Sequence, residues 1–129
     1  MPLTCVIDKQ RRLVTSTATG TLSYSDIAAH QDRLKNDPDF NPGFDQLFDG
    51  TRVTKIALTV EEIQTVARQR VFAAGSRQAF ATSSEFAYGM ARMFEICRET
   101  AGTGRLMRVF NSLEAAQEWL QPARQRKEA

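Results

Sequence analysis

His30 is the only histidine in the chain, so any chemistry that needs an imidazole must run through it. Asp32, Arg33 and Lys35 follow it closely. A lone histidine in such company reads as a solvated helix residue, with a pH switch as the alternative. One histidine excludes paired-histidine metal sites. A serine triad would need His30 as its base, and no G-x-S-x-G elbow accompanies it. Asp37, Asp39, Asp45 and Asp49 lie close in sequence and offer oxygen ligands of the kind a hard cation prefers. Their spacing matches no calcium loop, so they read as solvated loop acids. Neither G-x-x-x-x-G-K-[ST] nor G-x-G-x-x-G occurs, which leaves a nucleotide site unsupported. The expectation is no catalytic residue, no metal and no cofactor.

Leu47-Phe48-Asp49-Gly50-Thr51 partly matches the D-x-D-G-T signature of aspartate-nucleophile phosphatases. The nucleophile's position holds Leu47, which has no carboxylate to form a covalent intermediate. Asp49-Gly50 reads instead as a turn that closes a strand. Thr59 stands three residues before Glu62, the spacing of a capping box. Phe86, Met90, Met93, Phe94 and Cys97 recur at helical spacing as one stripe. They predict a helix packed on a sheet, or flexible methionines and aromatics lining an apolar pocket. Tyr88 and Arg92, four apart on another face, fit a partner contact or an ordinary surface pair.

The elements that position these residues follow from periodicity and turn chemistry. Residues 4–8 and 12–21 read as strands of one hairpin, with Gly20 marking a bulge or bend. Ser23 and Ser25 offer caps for a helix over 25–36, with Ile27, Gln31 and Leu34 on one face, stopped before Pro38. Phe40 and Phe44 anchor the loop that follows. Residues 44–49 predict a strand, and Val53, Ile56 and Leu58 a loop or short extended piece. The next helix starts at Thr59 and runs to Gly75, with positions 60, 63, 66, 67, 71 and 74 inward. Residues 77–82 predict a strand, Ser83 or Ser84 caps a long helix to about residue 100, 105–110 predict the last strand, and Ser112 caps a final helix with Leu113, Ala116 and Leu120 inward. The order is β-β-α-β-α-β-α-β-α. That alternation implies an α/β fold whose mixed sheet is largely parallel, with an N-terminal hairpin and four helices.

A length of 129 residues, 42% of them hydrophobic, suits one domain with a moderate core. Residues 1–121 form that domain, and 122–129 read as a charged, disordered tail. The formal charge of +2 sits on this tail, in Arg124, Arg126, Lys127 and Glu128. The remaining chain is balanced, which argues against nucleic acid as a partner. No apolar run reaches the roughly 20 residues of a membrane span. Met1-Pro2-Leu3 opens no signal peptide. Cys5 and Cys97, with no CxxC, read as reduced thiols, so the cytoplasm is the expected compartment.

Three stretches carry a family resemblance. Leu47-Phe48-Asp49-Gly50-Thr51-Arg52-Val53-Thr54 resembles a strand-end L-x-D-x-x-x-V-T. Phe86 to Glu95 is similar to the aromatic-G-M-A-R-M helix of small bacterial members, and Val109 to Leu120 to a closing V-F-x-x-x-E-A-x-x-W-L. The chain resembles the SpoIIAA-like family, a small stand-alone bacterial member with the STAS-type fold shared in outline with CRAL-TRIO lipid-binding domains. The resemblance implies a regulatory domain without catalytic residues. It also implies a kinase-target serine at a helix start, in a D-S-S-G-like segment. Here that segment is Ile56-Ala57-Leu58-Thr59-Val60, so only Thr59 retains a hydroxyl as a candidate phospho-switch.

Two functions follow. The first is a non-enzymatic, self-associating regulatory or protein-interaction module of the STAS type, with a protein partner or homodimer. The second is a carrier for a small apolar ligand or lipid. Phe86, Tyr88, Met90, Met93 and Phe94 are the candidate pocket or interface in either case.

Overall fold

Asp8 and Arg11 make the first tight turn, where the Asp8 carboxylate accepts the Arg11 amide and Arg12 takes a positive φ of 56°. The computed structural model describes residues 3–121; the charged tail at 122–129 lies outside them. The turn joins β1 (Leu3–Asp8) to β2 (Leu13–Ser23). Then follow α1 (Tyr24–Asn36), β3 (Asp45–Ala57), α2 (Val60–Arg68), β4 (Arg77–Thr82), α3 (Glu85–Ala101), β5 (Leu106–Phe110) and α4 (Leu113–Leu120). The five strands form one sheet in the order β1-β2-β3-β4-β5. β1 is antiparallel to β2, and every other neighbour pair is parallel. This is the ββαβαβαβα fold that the sequence predicts.

Strand alternation divides the core between two faces. Leu13, Leu47, Ala79 and Ala81 face α4 and meet its Ala116, Leu113 and Trp119. The alanines on β4 let this short helix approach closely. Leu3, Val14, Ala18, Phe48, Phe80, Met107 and Val109 point the other way. That face is covered by α1 through Ile27 and Leu34 and by α3 through Ala91, with α2 packed beside α3. Phe40 and Phe44 anchor their loop as expected: Phe44 is buried, and Phe40 meets Phe72 edge-on at 5.1 Å.

Two boundaries differ from the sequence reading. β3 does not end at Asp49-Gly50; it continues to Ala57 and stays paired with β2 as far as Ser23. The Asp49 carboxylate accepts from the Thr51 amide and hydroxyl, a local bond that does not break the strand. Gly50 is needed for close approach. A Cβ there would lie 3.0 Å from the Ala81 carbonyl and 3.1 Å from the Phe80 ring, which stacks on Phe48 at 4.8 Å. Gly50→Ala is therefore expected to destabilise by about 1–3 kcal/mol through overpacking, read by urea unfolding. Gly20, at φ 69°, is the bend that the sequence predicts, and the pairing register shifts on either side of it.

The second difference is α2, which stops at Arg68 rather than at Gly75. Residues 69–76 turn back irregularly instead, tied by Ala73 to the Pro42 carbonyl and by Gly75 to the Gly104 carbonyl. This route delivers Phe72 to the cluster of Val14, Leu34 and Phe44, which a continued helix could not do. Val60, the first residue after the cap, is exposed rather than inward.

Candidate functional site

A cavity opens between α1, α2 and α3 and the sheet face that carries Phe48 and Phe80. It spans about 700 Å³ with its open mouth, of which about 70 Å³ can hold the centre of a water molecule. It is therefore narrow. Ile27, Ile56, Ile63, Phe80, Met90 and Phe94 supply its apolar wall. Its polar groups gather where β3 and β4 begin: Gln46 and Gln78 are register partners, one pleat before the Phe48–Phe80 pair. Along α3 the residues Met90, Phe94 and Arg98 follow one another at single-turn spacing, so the helix passes from apolar to cationic along the same cavity.

His30 is the main correction to the sequence reading. It is 2% exposed, not solvated. α1 turns it inward with Ile27 and Leu34 because positions 27, 30 and 34 share a helical face. Its Nε2 lies 2.8 Å from Ser16 Oγ, and its Nδ1 lies 3.1 Å from Gln31 Oε1. The direction of these bonds follows from Arg105, whose guanidinium can only donate. It donates to Gln46 Oε1 at 3.0 Å and to Gln78 Oε1 at 3.4 Å. Gln46 Nε2 then donates to Ser16 Oγ at 2.9 Å. The Ser16 hydroxyl passes its proton toward His30 Nε2, and His30 Nδ1–H donates to Gln31. Gln31 Nε2 ends the chain on Gln69 Oε1 at 3.4 Å. Every link donates in the same sense, which keeps His30 neutral with its proton on Nδ1.

Electrostatics agree with a neutral ring. Burial pushes the His30 imidazole below its ordinary value; the Gln31 hydrogen bond opposes this, and the nearby Arg33 charge reinforces it. A base with a depressed folded pKa binds fewer protons folded than unfolded. Stability should then be at its full level above about 6.5 and fall as the pH drops below that value, levelling once His30 itself is protonated. Urea midpoints measured from pH 7.5 to 5 check this. A flat profile would contradict it.

The Ser16–His30 contact has the look of a nucleophile and its base, yet Ser16 is fully buried and does not border the cavity. Its hydroxyl is beneath His30 and Gln46, which do border it. The pair therefore holds the wall of the cavity and offers no attack path to a substrate there.

Arg98 and Arg105 are 4% and 7% exposed, and both border the cavity. Among the described residues neither has a carboxylate partner; Asp45, whose charge acts on Arg105, is engaged by Arg77 at 2.9 Å. Arg98 makes no hydrogen bond among these residues and rests on the Phe94 ring at 4.8 Å. Arg105 stacks on Phe72 at 3.7 Å, and its Nε is buried without a partner. Burial pushes the Arg98 guanidinium down to about 10. Burial and the Arg98 charge hold Arg105 well below its ordinary value, with Asp45 opposing. A guanidinium nonetheless stays charged at neutral pH.

The other candidates are dispersed. Met90 and Phe94 line the cavity, whereas Phe86 is 68% exposed and Tyr88 is half-buried against Met107 and Val109. Met93 and Cys97 are half-buried, and the sheet-facing side of α3 is Ala87, Ala91 and Arg98 instead of the large-residue stripe. Small residues bring the helix close to β5 and push Met90 and Phe94 to its flank. Thr59 forms the capping box: its hydroxyl accepts the Glu62 amide at 3.1 Å, and the Glu62 carboxylate accepts the Thr59 amide at 2.9 Å. The aspartates are not brought together: Asp39 pairs with Lys9, Asp45 with Arg77, and Asp49 with Thr51. Arg92 binds Glu95 at 2.7 Å. Among the described residues no helix is long and apolar enough to cross a membrane.

No family model matches the chain, and no curated protein does. Among solved structures, the chain is similar to an uncharacterized protein of the DUF3478 family with a SpoIIAA-like fold from Shewanella loihica PV-4. The two share 16% identity over 92% of this chain and 94% of the other, with a TM-score of 0.58. The fold is SpoIIAA-like.

Proposed function

We propose that this domain is a non-enzymatic binding module that holds a small apolar molecule, or the apolar part of a larger one, in the cavity between α1, α2, α3 and the sheet. The observation that supports this most is the wall of Ile27, Ile56, Ile63, Met90 and Phe94, which surrounds open space instead of closing on itself. Cores of this size ordinarily close to crystal-like density. The flexible Met90 side chain lets such a wall adapt to an occupant. The buried position of Ser16 supports a binding role over a hydrolytic one. Native mass spectrometry of the freshly purified protein tests the proposal: a retained small-molecule adduct is expected. A clean ligand-free mass, with no thermal shift on adding decanoate or 1-decanol, would contradict it.

A second reading, a STAS-type interaction module that self-associates in the cytoplasm, is favoured by a separate feature. β5 is an edge strand of the described sheet and exposes Leu106, and Phe86 is exposed at the start of α3. Thr59 would be its phosphorylation switch, at the N-terminus of α2 where a phosphate is electrostatically welcome. Light scattering at rising concentration should show a dimer on this reading, and a strictly monomeric chain counts against it.

A further inference from the structure

We infer that the occupant of this cavity is an amphiphile with an oxyanion head, a carboxylate or phosphate monoester, seated on Arg98 and Arg105, with a slim apolar chain lying along Phe94 and Met90 toward Ile56. This rests on the binding role proposed above and specifies the chemistry of the ligand.

Three observations carry it. First, two charged side chains stand nine-tenths buried on one cavity with no acid to balance them among the described residues. Buried cations are ordinarily paired, because an unpaired one is expensive to desolvate. Second, what the cavity lacks is specifically an acceptor. His30, Ser16, Gln31, Gln46 and Gln78 are linked in the donor chain that starts at Arg105. The unpartnered groups left at this end are donors, on Arg98 and Arg105. A forked guanidinium matches carboxylate or phosphate oxygens, and such charge-assisted bonds are the strong ones. Third, the cationic and apolar groups are in amphiphile order. Arg98, Phe94 and Met90 succeed one another along α3, and Ile56 and Ile63 continue the apolar wall. The narrowness of the space suits a linear chain better than a ring system.

Neighbouring charge offsets this pair only in part. Arg33 adds a further cation beside His30, and Asp45, the one acid whose charge acts on Arg105, is held on the opposite sheet face by Arg77. His30, kept neutral, adds no negative charge. The end of the cavity where β3 and β4 begin is therefore electropositive.

The test is isothermal titration of the full chain with decanoate, decyl phosphate, 1-decanol, decylamine and inorganic phosphate. Decanoate or decyl phosphate is expected to bind about tenfold or more tighter than 1-decanol, the effect of one or two charge-assisted bonds, and decylamine more weakly than both. Whichever of the two anions binds tighter identifies the head. Arg98→Met should remove most of that preference, read as the ratio of decanoate to 1-decanol affinity in the variant against the same ratio in the unaltered chain. Arg98→Lys, which keeps the charge and guards against a folding defect in the first variant, should retain part of it. Equal binding of decanoate, decyl phosphate and 1-decanol would overturn the anchor and leave the apolar cavity standing. Inorganic phosphate binding as tightly as decyl phosphate would overturn the amphiphile. Failure of all four amphiphiles to bind would overturn the binding role itself together with this inference.

Discussion

Arg98→Met is expected to raise the thermal stability of the ligand-free protein. Arg98 is buried, makes no hydrogen bond among the described residues and has no carboxylate partner. Its contribution to folding is therefore a desolvation cost, relieved only by its contact with the Phe94 ring. Methionine keeps much of the volume and the flexibility without the charge. It also removes the repulsion that Arg98 exerts on Arg105. Replacing buried charges by apolar residues of similar volume stabilises by about 1–4 kcal/mol. The lost cation–π contact returns about 0.5–2 kcal/mol of that. The net gain should be about 0.5–2 kcal/mol, a rise in Tm of a few degrees, read by calorimetry. A buried cation retained against stability is what a binding function would require. A fall of more than about 1 kcal/mol would show that Arg98 supports the fold itself and would remove the functional argument.

His30→Ala should have the opposite sign and a large magnitude. It opens a hole beneath α1 and strands the Ser16 hydroxyl and Gln31 carbonyl, both bonded to the imidazole. Cavity and orphaned polar groups together should cost about 2–4 kcal/mol. Ser16→Ala alone should cost about 1–2 kcal/mol, because it leaves His30 Nε2 and one Gln46 proton unpaired. The double variant should cost less than the two singles combined by about 1 kcal/mol, since once one partner has gone the other has little left to lose. Urea unfolding of the four proteins completes the cycle. Additivity within about 0.3–0.5 kcal/mol would show that the two residues act independently. His30→Ala should also flatten the loss of stability below pH 6.5.

Much of the fold was legible because local chemistry and burial agree. Ser23, Thr59, Ser84 and Ser112 each cap the helix they precede, and the alternation on β2 separates Val14 from Leu13. The errors arose where tertiary demands override a local signal. Asp49-Gly50 has turn chemistry, but the parallel partners of β3 hold it extended and the Phe80 ring requires a glycine there. The apolar positions after Arg68 keep a helical rhythm, but Phe72 is drawn off into the core.

The site was half legible. Met90 and Phe94 were visible as part of an apolar stripe. The polar half is hidden because its signal lies in phase, which residue size and polarity alone do not show. On α3, Arg98 shares its face with Ala87, Ala91 and Phe94, so a charged residue lies on the buried side. On β3 and β4, Gln46 and Gln78 alternate in phase with Phe48 and Phe80, and Arg105, just before β5, is in phase with Met107. Inward polar residues in phase with the core on α3, β3, β4 and the approach to β5 are the available signal. His30 carried the same signal on α1, in phase with Ile27 and Leu34.

The most direct measurement is amide chemical-shift mapping of the labelled full chain during titration with decanoate. Saturable shifts should concentrate at Ile56, Ile63, Met90, Phe94 and Arg98, which surround the cavity from α2, α3 and the end of β3. Leu47, Ala79 and Ala116, on the far side of the sheet beneath α4, should stay still. Shifts confined to exposed Phe86 and Leu106, or no saturable shifts at all, would contradict a ligand held between these helices and the sheet.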